Sequence, residues 1–304
     1  MDSEKVIDES EFGQTIVGHF PSQQGDETIY YRRLQSSNFP VENQENLHLI
    51  IVHDFGEYHA RHRELPFFLK EKIGENLSVS WLDLKGHGLS SGTRGFVKDF
   101  DEYTLDLAQL LLKYQEKKLD ENVVLLGHGM GALVCLSLIQ RHNFPQIAPK
   151  GLIISNPPIR LKIDLPRWAD FLFDHWHDSL SKLRLPYDID GYQIGADIRK
   201  AGEFNADPLV IQQISAGLYK EILKNSHALR TSSYFLDLPT LLLLGERDPL
   251  CDVEATKLFY KSMPKESSEL IIYPHAKHDL FNEVGRDKLF EDVYNWVSKL
   301  LNRE

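Results

Sequence analysis

The run NVVLLGHGMGALVCLSLI at 122 to 139 sets Gly127, His128, Gly129, Met130 and Gly131 between a buried-strand pattern and an apolar stretch of helical period. A strand that turns at once into a helix is where a G-x-S-x-G elbow lifts a serine oxygen above a sheet edge for nucleophilic attack. The flanking glycines have a steric reason, because the reversal is so tight that a side chain would strike the facing backbone. The central residue must sit at positive φ, which is strained for a residue with a Cβ and free for glycine. Here the centre is Gly129. The attacking hydroxyl is gone while the backbone is eased, so the fold should survive or gain stability. A dinucleotide-binding loop competes for the same glycines. It belongs in the first βα unit, however, with an acid about 20 residues on, and the chain around position 150 offers none.

Other candidate groups are weaker. Cys135 lies nearly two turns into the helix after the elbow, and Ser155 ends another strand with no special turn. Neither is a credible replacement nucleophile. His59 and His62 in HARH suggest a metal pair, but no third ligand is evident and the segment reads as a solvated helix start. No metal and no organic cofactor is implied.

The elements that must position these residues follow from periodicity. Apolar runs at 47–53, 77–84, 122–128, 151–156, 239–245 and 269–274 have the continuous apolarity of strands buried on both faces. Between them, 63–72, 99–117, 130–142, 251–262 and 287–301 carry apolar residues at three- and four-residue spacing, which predicts helices. GQTIVGHF and ETIYYRRL, around the turn-rich PSQQGD, predict an antiparallel hairpin at the sheet edge. The fold class expected is α/β, a mostly parallel sheet flanked by helices.

The alternation fails between 157 and 235, so residues 1–156 and 236–304 form the expected core and 157–235 an inserted helical cap or lid. Within the insertion, Trp168, Leu172, Trp176 and Leu180 share one helical stripe. That stripe suits packing on the domain itself or a lid that touches a membrane or micelle.

A chain of 304 residues with net charge −11 has no electrostatic footprint for nucleic acid and mildly repels anionic headgroups. Two cysteines without paired spacing and an acidic, polar start fit a reducing compartment and no signal peptide. The expectation is a cytoplasmic protein, peripheral to membrane at most through its cap.

Several segments together resemble the monoglyceride lipase and lysophospholipase branch of the α/β-hydrolases, over nearly the whole chain. HDFGEYHARH at 53 to 62 looks like its H-G-x-G-E-H oxyanion loop, and WLDLKGHGLSSGTRGFVKDFDEY at 81 to 103 resembles its D-x-x-G-H-G-x-S-x-G-x-R-G segment. FNADPL at 204 to 209, GERDPLCD at 245 to 252 and HAKHDLFNE at 275 to 283 match later segments. The resemblance implies a serine ester hydrolase with triad acid Asp248 and base His278, Asp252 being a nearby competitor for the acid. It implies oxyanion donors from the backbone of Phe55 and Met130 and a small apolar ester or lipid-like ligand. Two positions depart from the pattern, Asp54 for a glycine and Tyr58 for a histidine. A carboxylate at 54 either opposes an oxyanion or points to solvent.

Without serine the acyl-enzyme route is closed, and the chain is expected to be inactive or nearly so toward esters. Two origins remain. Either an active ester hydrolase lost its serine and kept Asp248 and His278, or the glycine is native and the chain is a pseudoenzyme that binds a lipid-like ligand or a protein partner. Asp54 and Tyr58 favour the native glycine. Gly129→Ser is expected to yield esterase activity if the remaining machinery is intact.

Overall fold

A computed structural model describes residues 3–10, 12–117, 119, 122–141, 149–162, 181–230 and 236–302. The stripe from Trp168 to Leu180 lies outside the described residues.

Among the described residues nine strands form one sheet: β1 (Ser3–Ser10), β2 (Gly13–Pro21), β3 (Thr28–Gln35), β4 (Leu47–Val52), β5 (Leu77–Leu82), β6 (Val123–His128), β7 (Gly151–Ser155), β10 (Thr240–Gly245) and β11 (Ser268–Tyr273). Their order is β1-β2-β3-β5-β4-β6-β7-β10-β11. From β5 to β11 all neighbours are parallel, and β1, β2 and β3 close one side antiparallel. This is the mostly parallel α/β sheet that the apolar runs imply.

Burial on both faces explains those runs. In β4, Ile50 and Val52 face the helices α2 (Asp101–Glu116) and α3 (Met130–Arg141), while Leu49 and Ile51 join the cluster under α1 (Glu64–Ile73) and the C-terminal helix Arg286–Leu301. Alternation along a strand sends successive side chains to opposite faces, so each face needs an apolar residue at every second position.

Two features differ from expectation. The hairpin of β2 and β3 forms, but β1 lies outside it and is the edge. Residues 5–10 are exposed, so neither face of β1 demands an apolar residue and no pattern marks it. Within 181–230, a two-stranded sheet pairs β8 (Arg184–Asp188) with β9 (Gln213–Ser215), followed by the helix Ala216–Arg230. Among the described residues no helix is long and apolar enough to cross a membrane.

Candidate active site

The carboxyl ends of β4, β6, β7, β10 and β11 open on one edge of the sheet, the crevice where α/β sheets place their ligands. Each of the five loops there supplies a site residue. Gly129 follows β6 with φ 50°, the left-handed turn that the glycine spacing requires. A Cβ on Gly127 would press on the backbone of Gly131 and Ala132, and one on Gly131 on the carbonyls of Val52 and His53.

Asp248 and His278, 30 residues apart in sequence, meet across the loops after β10 and β11. Asp248 Oδ2 accepts from His278 Nδ1 at 2.7 Å, while its Oδ1 accepts from the backbone N–H groups of Leu250 (2.7 Å) and Cys251 (2.9 Å). Asp252 does not compete. It caps the helix Val253–Lys261 by accepting from Ala255 N at 3.0 Å, and it pairs with Arg160.

Asp54 is the residue whose place the sequence left open, and it neither points to solvent nor merely flanks the oxyanion loop. Its side chain is 13% exposed. One oxygen, Oδ2, lies 2.8 Å from His278 Nε2, and the other, Oδ1, accepts from the Met130 backbone N–H at 2.5 Å. A Cβ built on Gly129 would fall on this carboxylate. Asp54 therefore fills the volume of the missing side chain and takes both the histidine nitrogen a serine would face and the N–H that would hold an oxyanion. The condition on which Gly129→Ser is expected to yield esterase activity, an intact machinery, is not met while Asp54 holds this position. Phe55 is brought to the same place, its ring beside Met130 in the cavity wall.

A carboxylate lies on each ring nitrogen of His278, an arrangement that favours the imidazolium, which can donate to both. Burial works against that charge, but Asp248 and Asp54 outweigh it and hold the imidazole well above its ordinary range. Burial would likewise raise the Asp54 carboxyl, and the hydrogen bond and charge of His278 reverse this to a net lowering. His128 is buried beneath, its Nδ1 3.1 Å from Ser155 Oγ, and burial lowers its value. Asp54, His128 and His278 each bring a donor atom within 4.8 Å of the others, the geometry from which a cation site is made. Asp54 Oδ2 and His278 Nε2 are spent on each other, and Asp248 on the second nitrogen, so the chemistry of the cluster is that of a shared proton.

Neither rejected nucleophile is rescued. Cys135 is buried in α3 and burial pushes its thiol up, and Ser155 Oγ is buried against His128. Cys251 lines the cavity, where burial and the Asp248 charge push its thiol to about 12.

Supporting residues tie the loops together. Asn156, at φ 43°, donates from Nδ2 to the His278 carbonyl at 2.6 Å and accepts at Oδ1 from Gly245 N at 2.9 Å. An Asn-Pro pair directly after a strand was the available signal for this residue. His59 and His62 are not solvated. Both are buried, His59 Nδ1 being 3.0 Å from Asp83 Oδ2 and His62 Nε2 2.8 Å from Glu57 Oε2. The segment misleads because its polar residues satisfy one another inside. Arg61 joins Glu57, in the Asp54 loop, to Asp279 beside His278 at 3.7 and 2.7 Å. Tyr58 Oη donates to Asp207 Oδ2 at 2.7 Å.

A cavity of about 40 Å³ opens beside Asp54 and His278, walled by Leu161, Ile189, Ile214, Ile222 and Leu250. Its wall is apolar apart from Asp54, His278 and Cys251.

Comparison with known proteins agrees with this fold. The model of the family "Serine aminopeptidase, S33" matches residues 43–285. Rat monoglyceride lipase is 29% identical over 260 residues, 82% of each chain, and the phospholipase YtpA of Bacillus subtilis is 26% identical over 246 residues, 80% of this chain and 92% of its own. The crystal structure of a monoacylglycerol lipase from Paleococcus ferrophilus shares the fold with TM-score 0.76 at 20% identity, covering 90% of this chain and 99% of its own. Sheet order, loop placement and family match together establish that the chain belongs to the S33 serine aminopeptidase family, as a monoglyceride-lipase-like α/β-hydrolase.

Proposed function

We propose that this protein keeps a monoglyceride-lipase-like scaffold but has exchanged serine ester chemistry for a carboxylate site that binds a small apolar or lipid-like ligand. The observation that carries this is Asp54, held between His278 Nε2 and the Met130 N–H in the space a serine side chain would need. In this reading Asp248 fixes His278, Met130 and Phe55 border the former oxyanion hole, and Ile189, Ile214 and Ile222 of the inserted segment wall the pocket. An ester carbonyl finds no hydroxyl to attack it. The N–H that would hold its oxyanion is taken by a negative charge, which opposes a second one.

The fit between Asp54 and Gly129 favours a native glycine over a single lost serine. A serine at 129 has no room while Asp54 holds this position, so the two substitutions belong together. The relatives' names, a monoglyceride lipase and a phospholipase, support a ligand with an apolar chain.

Labelling with a fluorophosphonate probe and turnover of short p-nitrophenyl esters test the reading. The wild type and Gly129→Ser are expected to show neither, and Gly129→Ser combined with Asp54→Gly to show both. Labelling or ester turnover by the wild type would overturn it.

A further inference from the structure

Asp54, His128 and His278 meet at the carboxyl end of β6, and one atom of each is fixed from outside the group. Asp54 Oδ1 accepts from the Met130 N–H at 2.5 Å, His278 Nδ1 lies 2.7 Å from Asp248 Oδ2, and His128 Nδ1 lies 3.1 Å from Ser155 Oγ. What each has left is Asp54 Oδ2, His278 Nε2 and His128 Nε2. We propose that these atoms form a site for one divalent transition-metal cation of the zinc type, which enters in place of the proton that Asp54 and His278 share. This goes beyond the reading of the pocket given above: it needs Asp54 to face His278, and it does not need the loss of ester turnover.

The observation that points to a ligand is His128. Its ring is fully buried, and Nε2 has no hydrogen-bond partner among the described residues. A buried polar atom left alone is costly and calls for a physical reason. A donor atom of His128 lies within 4.8 Å of donor atoms of Asp54 and His278, and Asp54 Oδ2 lies 2.8 Å from His278 Nε2. Tetrahedral ligands at zinc bond lengths stand about 3.3 Å apart, so Asp54 and His278 part slightly as His128 closes in.

The donor set selects the ion. Two imidazoles and one carboxylate suit zinc, cobalt or nickel, whereas calcium and magnesium want oxygen ligands. The outer contacts are those that metal-bound histidines keep, a carboxylate on the far nitrogen of His278 and a hydroxyl on that of His128, and they fix ring orientation and tautomer. Two neighbouring clusters do not compete. Asp248, Cys251 and His278 also converge, but Asp248 Oδ1 is taken by two N–H groups and Oδ2 by His278 Nδ1. Glu57 and Asp279 approach His128 as well, but Glu57 is held by His62 and Arg61, and Asp279 by Arg61 and Asn282. The exchange balances. His278 Nε2 releases its proton to solvent, and the cation takes lone pairs from that nitrogen, from Asp54 Oδ2 and from His128 Nε2, which is unprotonated in the tautomer that donates from Nδ1 to Ser155. A charge of two replacing one proton neutralises the single negative charge that Asp54, Asp248 and an imidazolium carry together. The fourth ligand position falls toward the cavity, which Asp54 and His278 line.

The test strips the wild-type protein with a chelator and titrates it with zinc and with cobalt ions. One cation per chain is expected to bind, and excess magnesium or calcium is expected not to displace it. Cobalt should give the strong visible absorption of a four-coordinate ion, and zinc should move the ring-nitrogen NMR signals of His128 and His278 together. Asp54→Asn, His128→Gln and His278→Gln should each weaken binding by at least about tenfold, while His227→Gln and His275→Gln, at exposed histidines, should leave it unchanged. The wild-type spectra need no variant to fold. Absence of saturable binding of either ion would overturn the proposal, as would zinc binding that leaves the His128 and His278 signals in place, or affinity that survives the three substitutions. The fluorophosphonate test is run with the chelator present, so its failure removes the proposed function and leaves this site standing.

Discussion

The Asp54 carboxylate occupies the space that a side chain on Gly129 would require, so the two positions are one structural unit 75 residues apart in the chain. Replacing Gly129 by alanine must both hold a Cβ at φ 50° and evict a paired carboxylate. We expect a loss of at least about 2 kcal/mol. Combined with Asp54→Gly, the loss should fall short of the sum of the single losses by about 1 kcal/mol or more. Urea unfolding of the four proteins in the cycle measures this, and strict additivity would contradict the contact.

The protonation of His278 gives a pH signature. Its imidazole lies above the ordinary range because Asp248 and Asp54 outweigh burial, so the stability it contributes is complete below the usual imidazole value and is lost as pH rises through the raised one. Asp54 is shifted the other way, and its contribution fades only as pH falls through its lowered value. The gap in urea midpoint between wild type and Asp54→Asn should therefore be level across neutral pH and narrow at both extremes. Proton and nitrogen NMR should show both ring N–H groups of His278 at neutral pH in the wild type, and a lower titration point in Asp54→Asn. A neutral ring in the wild type at that pH would refute the assignment.

Asp248 carries three hydrogen bonds and is 1% exposed. Asp248→Ala leaves two backbone N–H groups without their acceptor and His278 with one carboxylate. Loss of one partner from a buried pair costs about 3–5 kcal/mol, and thermal or urea unfolding should show a deficit of that order.

Asn156 separates backbone from side-chain effects. Its φ of 43° suits asparagine or glycine, and its amide joins the His278 and Gly245 loops. Asn156→Gly removes only the amide bonds and should cost about 1–3 kcal/mol. Asn156→Ala adds backbone strain and should cost about 1 kcal/mol more. Equal stability of the two variants would argue against the strained turn.

How much of this was legible follows from which residues answer to a local rule. The six parallel strands were readable because burial makes them mostly apolar runs, and each boundary lies within two residues of its expected place. Gly127, Gly129 and Gly131 were readable because a tight strand-to-helix turn has a single steric solution. Asp248 and His278 came from resemblance, and the structure brings them together. Asp54 was visible only as an odd residue. Its partner is set by the crossing of two loops, and a single sequence holds no record of that crossing. The inward turn of His59 and His62 was hidden for the same reason, their acids Asp83 and Glu57 being assigned by packing.

Arg61 holds Glu57 with one side of its guanidinium and Asp279 with the other, which makes the Asp54 loop and the His278 loop a braced frame. Swinging either loop alone away from the other would also break one of these Arg61 contacts.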